Sequence, residues 1–405
     1  MKRKHTSFLL AVVVLALTPT AMATTTWYVN GATGNDTNNC LSPTTACKTI
    51  GHAISLASSG DSIMVAAATY TENLTISKSL KIIGSGASTT IIDGGNVATV
   101  VRISSGTASV TLSAVSIRDG MATSGGGLYN SGTLTINSSI VTANHSKVSG
   151  GSTLGGGIFN GGVLTINNST ISGNGATASG RFEYAYGGGI ANNNGKLTIN
   201  ESTISGNGAG LTAKGYLNGH AYGGGIANLQ GTLAINNSTL SGNNAVGALY
   251  IEGSSGGGIS NGGTLTISNT TISGNSALPK GLGHGGGISG TATIQNSIVA
   301  NNSAGNCSGT MTSNGYNLSS DSTCNFNSPG DMNNTNPNLG PLQNNGGPTQ
   351  TMALPSGSPA IDAGNPGGCT DGAGHLLKTD QRGEPRPDSE DAGGCDMGAY
   401  ERQSD

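Results

Sequence analysis

The chain has 405 residues, 69 of them glycine, with 9% charged, 4% aromatic and a formal net charge of −3. That balance excludes the basic stripe that nucleic acid or an anionic membrane surface selects. Low hydrophobicity hints at disorder, but disorder also favours high charge, and here Asn, Ser and Thr recur in register instead.

Lys2, Arg3 and Lys4 precede an apolar run from Phe8 to Leu17, and Ala21-Met22-Ala23 follows with small residues where a signal peptidase reads. The pattern predicts an export signal over residues 1–23. The run is shorter than the ~20 residues that cross a bilayer, and no later stretch is apolar enough. The mature chain is therefore expected to lack a membrane span and to be secreted or on the extracellular surface. Residues 24–60 read as an N-terminal cap. Within it Ile50, Ala53, Ile54 and Ala57 fall at helical spacing, which predicts an amphipathic helix over the first coil.

Residues 61–305 read as repeats. Short degenerate strands come first, such as Leu74-Thr75-Ile76 and Val110-Thr111-Leu112. Glycine triplets followed by Leu or Ile then begin at Gly125, Gly155, Gly187, Gly223, Gly256 and Gly285, with spacings of 30, 32, 36, 33 and 29. After each triplet comes a block such as Leu164-Thr165-Ile166-Asn167-Asn168-Ser169-Thr170-Ile171-Ser172-Gly173-Asn174, whose apolar residues fall two apart, the spacing of a strand. Gly and Asn bound each piece and tolerate the positive φ of a sharp corner. The period therefore predicts three short strands per coil. One coil cannot bury its apolar side chains alone, so coils must stack about 4.8 Å apart. Ile166 is expected between Ile136 and Ile199 in an aliphatic column, each side chain contributing about 1.5–3 kcal/mol. Asn144, Asn174, Asn207, Asn243, Asn275 and Asn302 share one offset and predict a ladder of amides. The fold class is all-β: a right-handed parallel β-helix solenoid with an N-terminal amphipathic helical cap.

Variable insertions fall just before the triplets and should emerge from one corner as neighbouring loops. They carry Phe182, Tyr184 and Tyr186, then Tyr216, His220 and Tyr222, then Tyr250 with Glu252. Packing on one another to pin long loops is the weightier role for these rings. The functional role is a ligand-binding platform for sugar rings, with apolar faces and polar tips.

Residues 306–405 are less regular, and the stretch Pro337 to Pro366 is rich in Pro and Gly. Six cysteines in an exported chain suggest disulfides, with 15 connectivities possible. Their three local couples point to Cys40–Cys47, Cys307–Cys324 and Cys369–Cys395. With no C-x2-C couple and no accompanying His pair, no metal site is expected.

Several stretches resemble known proteins. Trp27-Tyr28-Val29-Asn30, Cys47-Lys48-Thr49-Ile50 with Ala53-Ile54, Gly60-Asp61 and Tyr70-Thr71-Glu72-Asn73 resemble the N-terminal cap of bacterial pectate-lyase-like β-helix proteins. The Gly-Gly-Gly-Ile repeats resemble those of surface β-helix proteins such as polymorphic outer-membrane proteins, without the Phe-x-x-Asn half of that motif. Leu339-Gly340-Pro341-Leu342, Asn345-Gly346-Gly347-Pro348-Thr349, Gly357-Ser358-Pro359-Ala360-Ile361-Asp362-Ala363-Gly364, Asp380-Gln381-Arg382-Gly383 and Cys395-Asp396-Met397-Gly398-Ala399-Tyr400-Glu401 together resemble the choice-of-anchor Q domain. The resemblance implies a bacterial exported surface protein whose tail would serve attachment, although no apolar helix or sorting motif follows Glu401.

The acids argue against catalysis. A glycoside hydrolase needs two carboxylates about 5–10 Å apart, and a calcium-dependent lyase needs clustered acids with a base. Between Gly125 and Asn302 the only acids are Glu183, Glu201 and Glu252. Asp93 and Asp119 read as turn residues, with Arg118 as their basic neighbour. Gly283-His284-Gly285 matches a hydrolase triplet without its aspartates, and His145 stands too far from His220 and His284 for a shared metal. The residues favour a non-catalytic adhesion or glycan-binding scaffold, monomeric, without a cofactor, whose partner is a cell-surface glycan or polysaccharide. The alternative is a polysaccharide lyase or hydrolase with an unrecognised site. An ice- or crystal-binding face of Thr135, Thr165, Thr198 and Thr266 is interrupted by Ala234.

Overall fold

The computed structural model describes residues 24–180, 183–211, 219–247, 253–279, 283–389 and 394–404. The expected export signal lies outside the described residues.

One period shows how the coil is built. Ile158–Asn160 lies in a sheet of nine strands, here sheet C. After the Gly161-Gly162 turn, Val163–Asn167 joins an eleven-stranded sheet A, with Leu164 and Ile166 pointing inward. Asn168 turns the corner at φ 47°, and Thr170–Ser172 joins a ten-stranded sheet B. The same corner is made by Ser138, Glu201, Asn237, Asn269 and Asn296, all at positive φ. Neighbouring coils pair in parallel, residue for residue, so Ile166 lies between Ile136 and Ile199. These aliphatic side chains are fully buried, and the columns form one continuous core from Val29 to Phe326. The fold is the expected right-handed parallel β-helix.

The longer coils contain five strands rather than three. Gly175–Ser179 and its equivalents form a six-stranded sheet D, and Tyr184–Tyr186 belongs to a three-stranded sheet E with Thr153–Leu154 and His220–Tyr222. The described parts of the insertions are thus strands where loops were expected. Strand spacing is carried here by alanine. Ala178 and Ala209 on sheet D face Ala185 and Ala221 on sheet E, forming a separate small core with Ala245, Val148 and Leu211 packed on it. The two sheets make a fin with its own interior.

The glycine triplets are required where the fin rejoins the coil. Gly187 sits at φ 64°, in the left-handed region that favours glycine. A Cβ on Gly188 would lie 2.3 Å from the backbone carbon of Gly208, so no side chain fits.

Polar columns brace the corners. Each amide from Asn144 to Asn275 donates to the next coil's amide at 2.9–3.0 Å, through Asn302 to Asn306. A second buried ladder, not singled out from the sequence, runs Asn130, Asn160, Asn192, Asn228, Asn261 with bonds of 2.6–2.7 Å. A third, half-buried, runs Asn137, Asn167, Asn200, Asn236 on the outer side of sheet A. Buried amides left unpaired would each cost about 1–3 kcal/mol, so each ladder fixes the register it depends on.

Both solenoid ends are covered. Helix α1, Ile50–Leu56, buries Ile50, Ala53 and Ile54, and Thr49 caps its first turn. The Glu72 carboxylate accepts the Ile50 and Gly51 amides at 2.9 and 2.8 Å, closing that terminus from a neighbouring coil. At the other end the coil continues to Leu318–Ser319, and Phe326 packs on the core beside the Cys307–Cys324 disulfide. Cys40–Cys47 and Cys369–Cys395 are the other two disulfides, the pairing expected from the local couples.

The tail then folds back along the A–B corner. Asn237 and Asn269 donate to the carbonyls of Thr379 and Thr370, and Thr203 donates to that of Gln350. Gln381 is fully buried, accepting from Thr239 at 2.6 Å and donating to Thr203 and Thr349 at 2.9 Å. Arg386 and Glu401 form a fully buried pair at 2.7 Å, and Arg386 also reaches Asn237 Oδ1 and the Gly398 carbonyl. Arg382 pairs with Asp380 at 2.7 Å and lies 3.7 Å over the Tyr400 ring. The tail acts as a clasp across several coils.

Candidate functional site

Four of the seven predicted platform residues are brought together on the outer face of the fin. Tyr184–Tyr186 and His220–Tyr222 are adjacent parallel strands of sheet E, with Tyr184 opposite His220 and Tyr186 opposite Tyr222. Ala185 and Ala221 between them point into the alanine core and are fully buried. Alternation therefore sends all four rings to the same side.

The rings form a two-by-two array. Across the strands, Tyr184 and His220 have centroids 5.7 Å apart at 9°, and Tyr186 and Tyr222 5.2 Å apart at 10°. Along the strands the separations are 5.9 and 5.7 Å, with interplanar angles of 23° and 18°. All four are half-buried, so they pack on one another and still meet solvent. Burial, with the neighbouring Tyr222 and Tyr184 hydroxyls, pushes the Tyr186 phenol up to about 12, so it stays a neutral hydrogen-bond donor at physiological pH. Phe182, Tyr216 and Tyr250 lie outside the described residues.

The acids do not gather there. Glu183 is buried beside the array, where it accepts the Gly151 amide at 2.9 Å. Its main-chain carbonyl accepts the His220 amide. Glu201 occupies the A–B corner at φ 50°, and Glu252 is outside the described residues. Asp119 turns a corner at φ 53°, and Asp93 accepts the Gly95 amide. Arg118 bridges both aspartates at 3.0 and 3.3 Å. His145 lies on sheet D, whereas His220 lies on sheet E. Among the described residues the one group with metal-ligand spacing is Cys40, Cys47 and His52, and its two sulfurs are joined in a disulfide.

The threonine column of sheet A does not form an open face. Thr135, Thr165 and Thr198 are in register, Ala234 interrupts them, and the tail lies over Thr266. A Cβ added at Gly372 would meet the Thr266 methyl at 2.9 Å, and the Gly372 amide donates to Asn236.

One ring cluster escaped the sequence reading. Tyr129 and Phe159 lie in register on sheet C with centroids 4.8 Å apart, and the Arg102 guanidinium lies 4.1 Å over the Tyr129 ring. Its signal was the residue after each Gly-Gly-Gly-Leu/Ile, aromatic in these two coils alone and alanine or serine in the rest.

The geometry defines a right-handed parallel β-helix bearing an outward aromatic array. No known protein family matches the chain, and no curated protein matches it by sequence. Among solved structures, the pectate lyase Pel9A aligns with a TM-score of 0.47 and 15% identity, covering 94% of this chain and 98% of that one. XylC in complex with xylose gives 0.37 and 10%, covering 93% and 98%. The pectin methylesterase PemA from Erwinia chrysanthemi gives 0.32 and 12%, covering 71% and 81%. Likenesses this distant assign no activity to the chain.

Proposed function

We propose that the protein is a secreted or cell-surface scaffold, non-catalytic and monomeric, that binds glycan through the fin array. The observation that carries the reading is the ring quartet of Tyr184, Tyr186, His220 and Tyr222, set side by side on one face and backed by an alanine core. Such a surface offers pyranose rings flat apolar area, while phenol and imidazole tips supply hydrogen bonds. Three disulfides fit an oxidising compartment. Covered solenoid ends leave little open strand edge for self-association, which supports a monomer. We read the tail as a choice-of-anchor Q module, since its motif residue Gln381 bonds to the coils while Asp380, Arg382 and Glu401 pair within the tail and brace it.

Purified protein on a glycan array should retain a subset of polysaccharides, and the Tyr184→Ala/Tyr222→Ala double variant should bind them at least tenfold more weakly with an unchanged unfolding midpoint. Incubation with uronic-acid polymers should yield no unsaturated products. Turnover would replace the scaffold reading with the lyase, and unchanged binding by the double variant would remove the array.

A further inference from the structure

Arg102 differs from Arg118, Arg382 and Arg386, each of which holds a carboxylate. Among the described residues Arg102 has no ion pair and no hydrogen-bond acceptor; its one partner is the Tyr129 ring beneath it. It is half-buried in the strand Val101–Ile103 of sheet C, with Thr75 opposite it on one side and Tyr129 on the other. A guanidinium laid on a ring keeps its edge donors free and holds them in a fixed plane.

Those donors border a cavity of about 330 Å³, whose walls divide by chemistry. Asn73, Thr75, Thr99 and Arg102 supply the polar side. Thr99 is buried, and its hydroxyl has no partner among the described residues. Val97 and Met121 supply an apolar rim. At 78% and 37% exposure they are two of the seven large hydrophobic side chains left exposed among the described residues. The cavity of about 580 Å³ on the sheet A side, by contrast, is lined by amides together with Glu201 and Asp371, and its acids would repel an anion.

We propose that the Arg102 cavity binds an acidic sugar residue, with the sugar carboxylate on the guanidinium edge and the apolar ring face against Val97 and Met121. A planar fork matches a carboxylate through two parallel N–H donors. The pyranose hydroxyls meet Thr75, Thr99 and Asn73. The site stands apart from the fin array, because Arg102 lies on sheet C two coils before the coil that carries Phe159 and, on sheet E, Tyr184.

Titration calorimetry with uronate-containing tetrasaccharides, their carboxyl-reduced neutral counterparts and sialyl-lactose tests it. The protein should bind at least one acidic sugar tenfold or more tightly than its neutral counterpart. Arg102→Gln should abolish that preference. Thr75→Asp should abolish it too, since Thr75 is exposed and a carboxylate there would occupy the guanidinium without disturbing the core. Which acidic sugar responds separates uronate from sialate. Tyr184→Ala/Tyr222→Ala should leave the acid preference intact, which keeps this outcome separate from the fate of the fin. Equal binding of acidic and reduced sugars by the unaltered protein would overturn the proposal, as would an acid preference that survives both Arg102→Gln and Thr75→Asp.

Discussion

Thr170-Ile171-Ser172 and Thr239-Leu240-Ser241 are the same stretch of sheet B two coils apart, with Thr203-Ile204-Ser205 between them in register. Their backbones match, and Ile171 and Leu240 are both fully buried. Their outward faces differ. Thr170 is half-buried and meets solvent, whereas Thr203 and Thr239 are buried under the tail and bonded to it. The partner of Thr239 is Gln381, 142 residues away. Local period therefore decides where the strand runs and which side chains point in. Whether the outward side is surface or interior depends on a segment far along the chain.

That contrast can be tested by loading each side in turn. The largest effect is expected from Arg386→Met, which strands the Glu401 carboxylate in the buried clasp. Denaturant unfolding should show a loss of about 3–5 kcal/mol. The same change at Arg118, in a partly exposed pair, should cost less than about 1 kcal/mol. Equal losses would mean that the clasp is no more buried in solution than the bare coils. Replacing Cys369 and Cys395 together by Ser opens a crosslink with a sequence separation of 26, and the chain-entropy relation gives about 3–4 kcal/mol.

The next effect is read by pH. Burial pushes the Glu401 carboxyl up to about 7, with Asp396 adding to the rise and Arg386 opposing it. The folded protein then holds a proton that the unfolded chain, titrating near 4.5, has released. The stability this contributes is full below about pH 4.5 and is lost as pH rises through about 7. Protection factors of the tail amides, corrected for the intrinsic pH dependence of exchange, should be higher at pH 5 than at pH 8, with Glu401→Gln flattening the difference. Protection that increases with pH would reverse the assignment. The smallest effect sharpens the comparison most. Thr239→Val, which strips a donor from buried Gln381, should cost about 1–2 kcal/mol, and Thr170→Val no more than about 0.5 kcal/mol.

What could be read in advance follows the same division. Leu164-Thr165-Ile166 announces its strand because the period of two is carried by bulky side chains, and the Asn144 column stands out by its fixed place in each repeat block. The Asn130 ladder was equally legible, two residues after the Leu or Ile of the first five Gly-Gly-Gly triplets. Gly175-Ala176-Thr177-Ala178-Ser179 alternates just as strictly, but alanine gives too little hydrophobic contrast to announce a strand. The pairing of Tyr184 with His220 is implicit in the spacing of 36 between Gly187 and Gly223, once the insertions are recognised as strands. The burial of Gln381, Arg386 and Glu401 could not be read locally, since polar side chains of these types signal surface, and Gln381 and Arg386 find partners on distant coils.

The alanine-lined fin gives the molecule a way to change without refolding. Its interior is separate from the aliphatic core, so an insertion can grow or shrink in one coil while the stacked Leu and Ile columns keep their places. Evolution, or an engineer, could redecorate this rib one rung at a time, treating the rest as an unaltered spindle.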